Sequence, residues 1–469
     1  MTTPNEYTLV EKPILDALVG RYGYRYIRPD EHPFLRDREN EVLFKVPLVQ
    51  AIRRINNLEL EPALAIFHEL AGLADNVRWL EVLRGHYSRK PPGEETHRTI
   101  RVIDFDRPEN NDFAVTNQLR VQGAVVRKPD LVIYVNGIPL VVIETKSPTN
   151  QSQTAFDTID QVRSAEREIP RLFHSNLFNI ATNDVTLMYG ATGSPREHWS
   201  KWRDPWPKAI GDFSDETEKG LYALLEPARL LDILAHFVVF ETRDGKTIKK
   251  LCRYQQLRAV NKMVDRVVEG KHHAGLVWHT QGSGKSLTMV FAALKLKFHR
   301  GITSERLQNP NLLVITDRID LHNQIAATFQ ACALPNPLPA ESIEQLRAAV
   351  TGGVRVRTVI STIFKFHWED PRLHSDVHRH RQDALRDLEI PGSENWIIMV
   401  DEAHRTQEKD LGAFLRAILP KAVRFGFTGT PVKRGDMDTF QNFGAPGETY
   451  LDKYGIDDAV ADGATVPIY

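Results

Sequence analysis

Cysteine is almost lacking from this sequence of 469 residues, which contains only Cys252 and Cys332. Two cysteines cannot build a disulfide framework or a zinc cluster, and such scarcity fits a reducing cytosol. The longest apolar run, residues 131–143, is interrupted by Asn136 and Gly137. It therefore falls short of the roughly 18 residues that a membrane helix needs. Because the first residues also have no basic region followed by an apolar one, we expect a soluble, cytoplasmic protein without a membrane partner.

Net charge is lacking too, since 60 Lys and Arg residues face 61 Asp and Glu residues. Nucleic-acid binding depends on local clusters of charge, so this balance neither supports nor excludes it. An apolar fraction of 42% and a charged fraction of 26% exclude collagen-like and disordered chains. At roughly 150 residues per domain, the length suggests about three domains.

Hydrophobic patterning divides the chain near residue 240. Residues 41–90 have apolar spacing near the helical period, and the pattern turns to β strands at 99–105 and again at 131–143. Beyond residue 240, short apolar runs alternate with helix-length intervals, which predicts an α/β fold with a doubly wound parallel sheet. These runs are residues 274–279, 311–316, 356–361, 396–400 and 423–428.

The first of these runs leads into a loop that is typical of phosphate binding. Residues 279–286 read His-Thr-Gln-Gly-Ser-Gly-Lys-Ser and precede an apolar helical run. Backbone N–H groups would cradle a phosphate, Lys285 would reach the β- and γ-phosphates, and Ser286 would bind Mg²⁺. His279 stands where the strict GxxxxGK[ST] pattern has glycine, and by itself so short a loop is merely a turn in about half of such matches.

Two acids end the fourth apolar run. Asp401 and Glu402 follow residues 396–400 directly. In this arrangement Asp401 could bind a metal ion, and Glu402 could orient or deprotonate an attacking water molecule. The alternative is a strand that simply ends in a solvated acidic helix cap. The loop and the acids together supply the positioning and the charge neutralisation that phosphoryl transfer needs.

These segments resemble motifs of superfamily 2 helicases and translocases. The matching segments are Arg253-Tyr254-Gln255, 280–286, Thr316-Asp317-Arg318, 361–365, 401–404 and 428–431. The resemblance implies a RecA-like domain over residues 241–469 that binds ATP and Mg²⁺. The implied nucleotide-binding residues are Gln255 at the adenine, Thr280, Gln281, Gly282, Ser283, Gly284, Lys285, Ser286 and Asp401.

The same resemblance assigns roles beyond the nucleotide. It implies that His404, Thr428, Gly429 and Thr430 couple nucleotide state to DNA, and that Arg318, Thr362 and Lys365 contact the DNA backbone. The family also has a second RecA-like domain with arginine fingers, which we expect to be missing from residues 1–469. Because such an arginine is worth about 10³–10⁵ in rate, we expect nucleotide binding without efficient turnover.

A second candidate site lies upstream, around an Asn136-Gly137 turn. The apolar runs on both sides of this turn predict a β-hairpin that is buried on both faces. Asp130 precedes the hairpin, and Glu144 and Lys146 share one face at its end, where they could bind Mg²⁺ and activate water. The alternative, a strand cap and a surface ion pair, is correct for about 80% of isolated matches of this kind.

Strand register tests this site. With a two-residue turn at 136–137, Asp130 pairs with Ile143, so that Asp130 and Glu144 face opposite sides. A shared metal requires a shift of one residue. We therefore predict a β-bulge or a three-residue loop in this hairpin.

Pro129-Asp130 and Glu144-Thr145-Lys146 resemble the PD-(D/E)xK nuclease signature. Such a nuclease before a DEAH-type motor resembles the R subunit of type I restriction–modification enzymes. This implies a nuclease domain in residues 1–240 with its core at about 100–190, and a type I endonuclease with DNA-dependent ATPase activity. It implies double-stranded DNA, methyltransferase and specificity subunits as partners. Glu41 is our candidate for a further acid; Asn117-Gln118 resembles the family weakly, and the family's QxxxY element has Gln161 but Ala165 in place of tyrosine.

Two other functions fit the same motifs. The chain could be a different superfamily 2 helicase whose nuclease-like fold is inert and only binds DNA. It could also be a non-enzymatic, ATP-gated assembly subunit. Lys146→Ala should abolish DNA cleavage by a restriction subunit and change no activity of such a helicase. An assembly subunit should show no DNA-stimulated ATPase activity.

Overall fold

The computed structural model describes residues 7–90, 96–147, 155–183, 185–243, 245–298, 310–316, 326–327, 329, 338–339, 345, 358–362, 393–401, 419–431 and 443–465. The chain divides into two compact units, Met1–Phe240 with Thr247–Tyr254, and Glu241–Lys246 with Gln255–Tyr469. This division falls near the boundary predicted at residue 240, while the assignment of the units as nuclease and motor domains stays a prediction. No helix in the described part of the chain has the length and apolarity to cross a membrane.

The first unit contains nine α-helices among the residues described. They are α1 (Lys12–Tyr22), α2 (His32–Leu35), α3 (Lys45–Asn56), α4 (Leu60–Ala71), α5 (Asn76–Leu83), α6 (Ala155–Glu168), α7 (Pro170–Phe173), α8 (Glu216–Leu225) and α9 (Pro227–His236). The helical spacing at 41–90 is thus confirmed by α3, α4 and α5.

The first unit and the hairpin at its boundary with the second unit contain the strands β1 to β13. They are β1 (Arg25–Ile27), β2 (Tyr87–Arg89), β3 (Arg98–Ile100), β4 (Phe113–Asn117), β5 (Val121–Gln122), β6 (Val126–Arg127), β7 (Leu131–Val135), β8 (Ile138–Thr145), β9 (Phe178–Thr182), β10 (Leu187–Ala191), β11 (Ser200–Lys201), β12 (Val238–Arg243) and β13 (Lys246–Leu251). The strand predicted at 99–105 is wrong beyond Ile100. Residues 101–105 instead lie in a loop, where the N–H of Asp104 donates to Asn111 Oδ1 at 2.9 Å.

Seven strands form the central sheet of the first unit in the order β1-β4-β7-β8-β9-β10-β11. Strand β7 runs antiparallel to both of its neighbours, β4 and β8, whereas β8 runs parallel to β9. Every residue of β7 and β8 is buried, which confirms a hairpin covered on both faces. Such strands read as continuous apolar runs because both of their faces pack against other groups.

The turn between β7 and β8 follows from its two residues. Asn136 and Gly137 adopt left-handed backbone angles, with φ of 52° and 78°. This conformation favours asparagine and glycine in two-residue hairpins. The buried Asn136 side chain accepts from the N–H of Asp112 and donates to Val102 O, each at 2.8 Å. The turn is therefore fixed by packing as well as by local preference.

The second unit is built on a parallel sheet. Its elements are α10 (Tyr254–Glu269), β14 (Ala274–His279), α11 (Lys285–Phe298), β15 (Asn311–Thr316), β16 (Leu338–Pro339), β17 (Thr358–Thr362), β18 (Trp396–Val400), β19 (Val423–Thr428), β20 (Asp452–Tyr454) and α12 (Ile456–Ala461). The strand order is β16-β17-β15-β18-β19-β14-β20, and every neighbouring pair is parallel.

This sheet confirms the predicted α/β class. Four of the five predicted runs coincide with β14, β15, β18 and β19, and the fifth overlaps β17. The short strands β16 and β20 were not predicted. In a parallel sheet the carboxyl ends of all strands meet at one edge, which is where such folds bind ligands. The phosphate loop and Asp401 directly follow strands of this sheet and Thr428 is the last residue of one, so they lie along that edge.

Candidate functional site

The carboxylates of the upstream site are brought to one face by an irregularity in the hairpin. Ile133 pairs with Val141, whereas Tyr134 pairs with Pro139, so Leu140 is the additional residue in β8. Val135 still pairs with Ile138 across the two-residue turn, and Leu131 pairs with Ile143. The predicted bulge is thereby confirmed. Without it, side-chain parity would separate Asp130 from Glu144.

Asp130 and Glu144 form a buried, interacting pair. Their residues are 9% and 2% exposed. Burial raises the pKa of Glu144 well above its usual range, and the charge and hydrogen bond of Asp130 raise it further. Asp130 Oδ2 also accepts from the N–H of Thr145 at 2.7 Å and from its hydroxyl at 3.0 Å. Two carboxylates that share a buried site favour a proton or a cation between them.

Lys146 lies at the end of the same strand. Its backbone N–H donates to Thr182 O at 2.9 Å, which continues the pairing of β8 with β9. The positive charge of Lys146 lowers the pKa of Glu144, although less than burial raises it. The three residues predicted from the sequence therefore interact in one place, and the surface ion pair considered as an alternative does not describe the buried Glu144.

Gln161 is a contact that sequence reasoning undervalued. Its Nε2 donates to Glu144 Oε2 at 2.6 Å from helix α6, which packs against β8 and β9. The missing tyrosine of the QxxxY element made this glutamine a weak candidate. The match of Gln161 to the first position of that element could nevertheless have identified it. Its hydrogen bond orients the Glu144 carboxylate.

The N-terminal acids fall in different places. The carboxylate of Glu41 accepts from the N–H groups of Asp37 at 3.0 Å and Arg38 at 3.3 Å, so it stabilises a local turn. Glu11, in contrast, is 5% exposed, and its Oε2 lies 3.5 Å from Nε2 of Gln118. The backbone N–H of Gln118 donates to Asp130 O at 3.2 Å. Glu11 is thus linked through Gln118 to the backbone of Asp130.

The donor set of this site suits a hard divalent cation. Oxygen ligands are those that Mg²⁺ prefers, and it commonly takes one or two carboxylates with water and phosphate oxygens. Within the ranges described above, no cluster of three or more His, Cys, Asp or Glu side chains is placed to hold a metal. Burial and the neighbouring Asp130 both disfavour a negative charge on Glu144 and raise its pKa, an effect that a bound divalent cation would oppose. Asp130 and Glu144 therefore fit a magnesium ion that water and substrate also ligate.

In the second unit, the predicted phosphate loop connects β14 to α11. Gly282 and Gly284 have φ of 81° and 85°, a left-handed conformation that favours glycine. Lys285 is the first residue of α11, and its Nζ lies 3.5 Å from His279 O. The loop thus has the strand, glycine turn and helix N-terminus that bind phosphate groups in other proteins.

Several buried polar atoms near this loop have no protein partner among the described residues. They include both side-chain polar atoms of Gln255, which is fully buried, and the hydroxyl of Ser283. Buried polar groups are nearly always hydrogen-bonded, so each unsatisfied one calls for an explanation. A nucleotide, whose base and phosphates carry donors and acceptors, fits these residues. Gln256, next in the chain, instead donates from Nε2 to Gly284 O at 3.1 Å.

The remaining predicted residues of known position follow neighbouring strands. Asp401 is buried directly after β18, and its N–H donates to Ile315 O at 2.8 Å. Thr428 ends β19, which pairs with both β18 and β14. A methyl group on Gly429 would lie 3.2 Å from the backbone N of Gln281, so this segment packs on the phosphate loop. Thr430 donates its N–H to the hydroxyl of Thr428 at 3.1 Å.

Other predicted residues are outside the described part of the chain. These are Glu402, His404, Arg318, Lys365 and the side chain of Thr362. Their roles stay predictions.

Comparison with known proteins supports two domains. Residues 3–198 match the family described as type I restriction enzyme R protein N terminus (HSDR_N). Residues 255–469 match the family described as SWI2/SNF2 ATPase.

Similar proteins carry corresponding names. The chain is 32% identical over 507 residues to the type I restriction enzyme HindI endonuclease subunit of Haemophilus influenzae, with 100% of this chain and 46% of that protein aligned. It is 26% identical over 474 residues to the type I restriction enzyme SauMSSORF170P endonuclease subunit of Staphylococcus aureus, covering 99% and 47%. This chain therefore spans about half the length of these curated relatives.

A solved structure also matches part of the chain. It is the SWI2/SNF2 ATPase core of Sulfolobus solfataricus in complex with double-stranded DNA, at 15% identity and a TM-score of 0.26, covering 41% of this chain and 36% of that one. The two family matches and the curated relatives lead to one assignment. This chain carries the N-terminal domain of type I restriction enzyme R proteins ahead of a SWI2/SNF2 ATPase domain, and its curated relatives are type I restriction enzyme endonuclease subunits.

Proposed function

We propose that this chain is the nuclease and motor portion of a type I restriction–modification enzyme that cleaves unmodified double-stranded DNA in the cytoplasm. ATP hydrolysis drives translocation along DNA, and a magnesium-dependent site cuts the phosphodiester backbone. Methyltransferase and specificity subunits supply sequence recognition. The observation that supports the nuclease most strongly is the bulge at Leu140, because it places Asp130 and Glu144 together inside the sheet.

In the nuclease site, Asp130 and Glu144 hold the metal through carboxylate oxygens. Mg²⁺, when bound, supplies Lewis-acid activation of the scissile phosphate and of water. Lys146 neutralises charge that develops on the phosphate as the bond breaks. Gln161 donates to Glu144 and keeps that carboxylate oriented. Glu11 is our choice for the additional acid, in place of Glu41, because Gln118 connects it to Asp130.

In the motor, Lys285 neutralises the β- and γ-phosphates, and Ser286 and Asp401 hold the magnesium ion of Mg-ATP. Gln255 reads the adenine, which satisfies its buried amide. Glu402 orients the attacking water. Thr428 ends the neighbouring strand and Gly429 packs on the phosphate loop, a position suited to coupling nucleotide state to DNA.

Nicking of a supercoiled plasmid in the presence of Mg²⁺ or Mn²⁺ tests the nuclease. Lys146→Ala should reduce the nicking rate by about 10²–10³-fold, since it removes a charge aimed at the transition state. Lys201→Ala, which changes an exposed lysine on strand β11, should leave the rate unchanged. EDTA should abolish nicking in every variant.

Metal binding gives an independent measurement. Electron paramagnetic resonance should detect Mn²⁺ bound to the wild-type chain, and Glu144→Gln should remove that site. Nicking that survives Lys146→Ala would contradict the assignment. A wild-type chain that neither nicks DNA nor binds Mn²⁺ would favour an inert, nuclease-like fold.

A further inference from the structure

A fully buried carboxylate in the second unit binds three basic side chains. Asp452, in strand β20, accepts from Arg258 Nε at 2.7 Å and from Lys262 Nζ at 2.9 Å. Its Oδ2 lies 2.8 Å from Nε2 of His279 and 3.0 Å from Nη2 of Arg258. The side chains of Asp452 and His279 have no solvent exposure. This buried arrangement of four residues is larger than a single ion pair.

The four residues come from three separate parts of the unit. Arg258 and Lys262 lie on helix α10, which also carries Gln255 and Gln256 near its start. His279 is the last residue of β14, directly before the phosphate loop, and Asp452 lies on the edge strand that pairs with β14. Arg258 also donates to Lys453 O at 2.6 Å. One carboxylate therefore joins the helix, the loop and the sheet edge.

His279 connects Asp452 to the start of the phosphate loop. It occupies the position at which the strict phosphate-loop pattern has glycine, and glycine could not reach Asp452. The His279 carbonyl lies 3.5 Å from Lys285 Nζ, and the N–H of Thr280 donates to Tyr454 O at 3.0 Å. The position of the imidazole thus sets where the loop begins.

Charge and protonation agree with a fixed structure. Burial alone would raise the pKa of Asp452, but its hydrogen bonds with His279 and Arg258 and the positive charge of Arg258 hold that pKa well below its usual range. Burial lowers the pKa of His279, although Asp452 opposes this shift. A neutral imidazole donates to a carboxylate from the ring nitrogen that faces it, which in His279 is Nε2. The bond from His279 to Asp452 therefore has a defined direction.

We propose that Asp452 is a positioning residue for the nucleotide. Through His279 it fixes the start of the phosphate loop, and through Arg258 and Lys262 it fixes helix α10, so that the phosphate and adenine subsites keep one spacing. Asp452 itself does not touch the nucleotide. The proposal rests on the proposed ATP-binding function, because it specifies how that same site is held ready.

Binding of a fluorescent ADP to the 469-residue chain tests this role. Asp452→Asn keeps the shape of the side chain but removes its charge, and His279→Leu removes the hydrogen bond while leaving Asp452 paired with Arg258 and Lys262. If each change reduces the binding-competent population to a tenth, each raises the Kd for ADP about tenfold. Asp457→Asn, the same substitution at an exposed position in α12, should leave the Kd unchanged.

The double variant distinguishes positioning from general destabilisation. If Asp452 acts through His279, Asp452→Asn with His279→Leu should weaken binding no more than the stronger single change. Effects that multiply, or a Kd within about threefold of wild type in folded single variants, would overturn the proposal. His279→Leu carries the test if Asp452→Asn does not fold. A wild-type chain that fails to bind ADP would instead contradict the nucleotide-binding function itself.

Discussion

Glu144 is the residue at which burial and charge conflict most directly. Its pKa is raised well above the usual range, first by burial and then by Asp130. The folded chain therefore keeps a proton that the unfolded chain releases at about pH 4.5. Metal-free stability should fall as pH rises from there through the raised pKa of Glu144, because the unfolded state binds fewer protons in that interval. Mg²⁺ affinity should rise over the same interval, since the metal competes with the proton.

Glu144→Gln should consequently stabilise the metal-free chain at neutral pH while removing metal binding. The amide carries no charge against Asp130, and we expect a gain of about 1–3 kcal/mol in the free energy of unfolding. Urea denaturation at several pH values measures this gain, which should shrink towards pH 4.5. Glu197→Gln, at an exposed position of the same unit, should have little effect. A loss of stability on Glu144→Gln at pH 7 would contradict our account of the pair.

Residues predicted from the sequence were those in short, recognisable patterns. Asp130, Glu144 and Lys146 were found from their positions at the ends of apolar strands, and the structure brings them together. Gln161 and Glu11 were undervalued or missed, because their contacts with Glu144 and Gln118 cross 17 and 107 positions of sequence. No local period encodes such contacts.

At the scale of elements, the β7–β8 hairpin determines the geometry of the nuclease site. Its bulge was predictable because a strand has a period of two, and the two-residue turn would otherwise direct Asp130 and Glu144 to opposite faces. The position of the additional residue at Leu140 was not predictable, since every residue around it is apolar and buried. Packing against both faces of the sheet determines at which position of β8 the additional residue lies.

Gly137→Ala should destabilise the first unit through this hairpin. A methyl group there would lie 2.6 Å from Phe44 O and 3.0 Å from Leu48 N, at a φ of 78°. We expect a loss of about 2–4 kcal/mol in the free energy of unfolding, measured by urea denaturation. Gly193 has the same φ with no atom within 4 Å of such a methyl group. Gly193→Ala should therefore lose only about 1 kcal/mol, and equal losses for both variants would contradict the steric argument.

Most strands of the second unit could be located from the hydrophobic pattern of the sequence, but one could not. Runs of five or six mostly apolar residues located β14, β15, β18 and β19, because strands buried in a parallel sheet are largely apolar. Strand β20 reads Asp452-Lys453-Tyr454 and has no such pattern. It joins the sheet because Arg258 and Lys262 neutralise Asp452 and His279 hydrogen-bonds it, and only the folded chain brings these three residues near it.

At the scale of the whole molecule, the division into two compact units predicts separate responses to ligand. ADP at 100 times its Kd should raise the free energy of unfolding of the nucleotide-binding unit by about 2.7 kcal/mol. Denaturation should thus show two transitions, of which ADP moves one. Lys285→Ala should remove the shift, whereas Lys271→Ala, at an exposed lysine, should retain it. A shift of both transitions by ADP would show that the two units unfold together.

The sequence by itself determined the α/β class, the parallel strands of the second unit, the phosphate loop and the residues of the carboxylate site. These features depend on neighbours within about a dozen positions, where hydrophobic period, glycine and charge act locally. Only the tertiary structure decided that Leu140 is the bulged residue, that Gln161 donates to Glu144, and that Asp452 binds His279. The last two contacts join residues 17 and 173 positions apart, and they form because burial leaves each charged group only the partners that folding supplies.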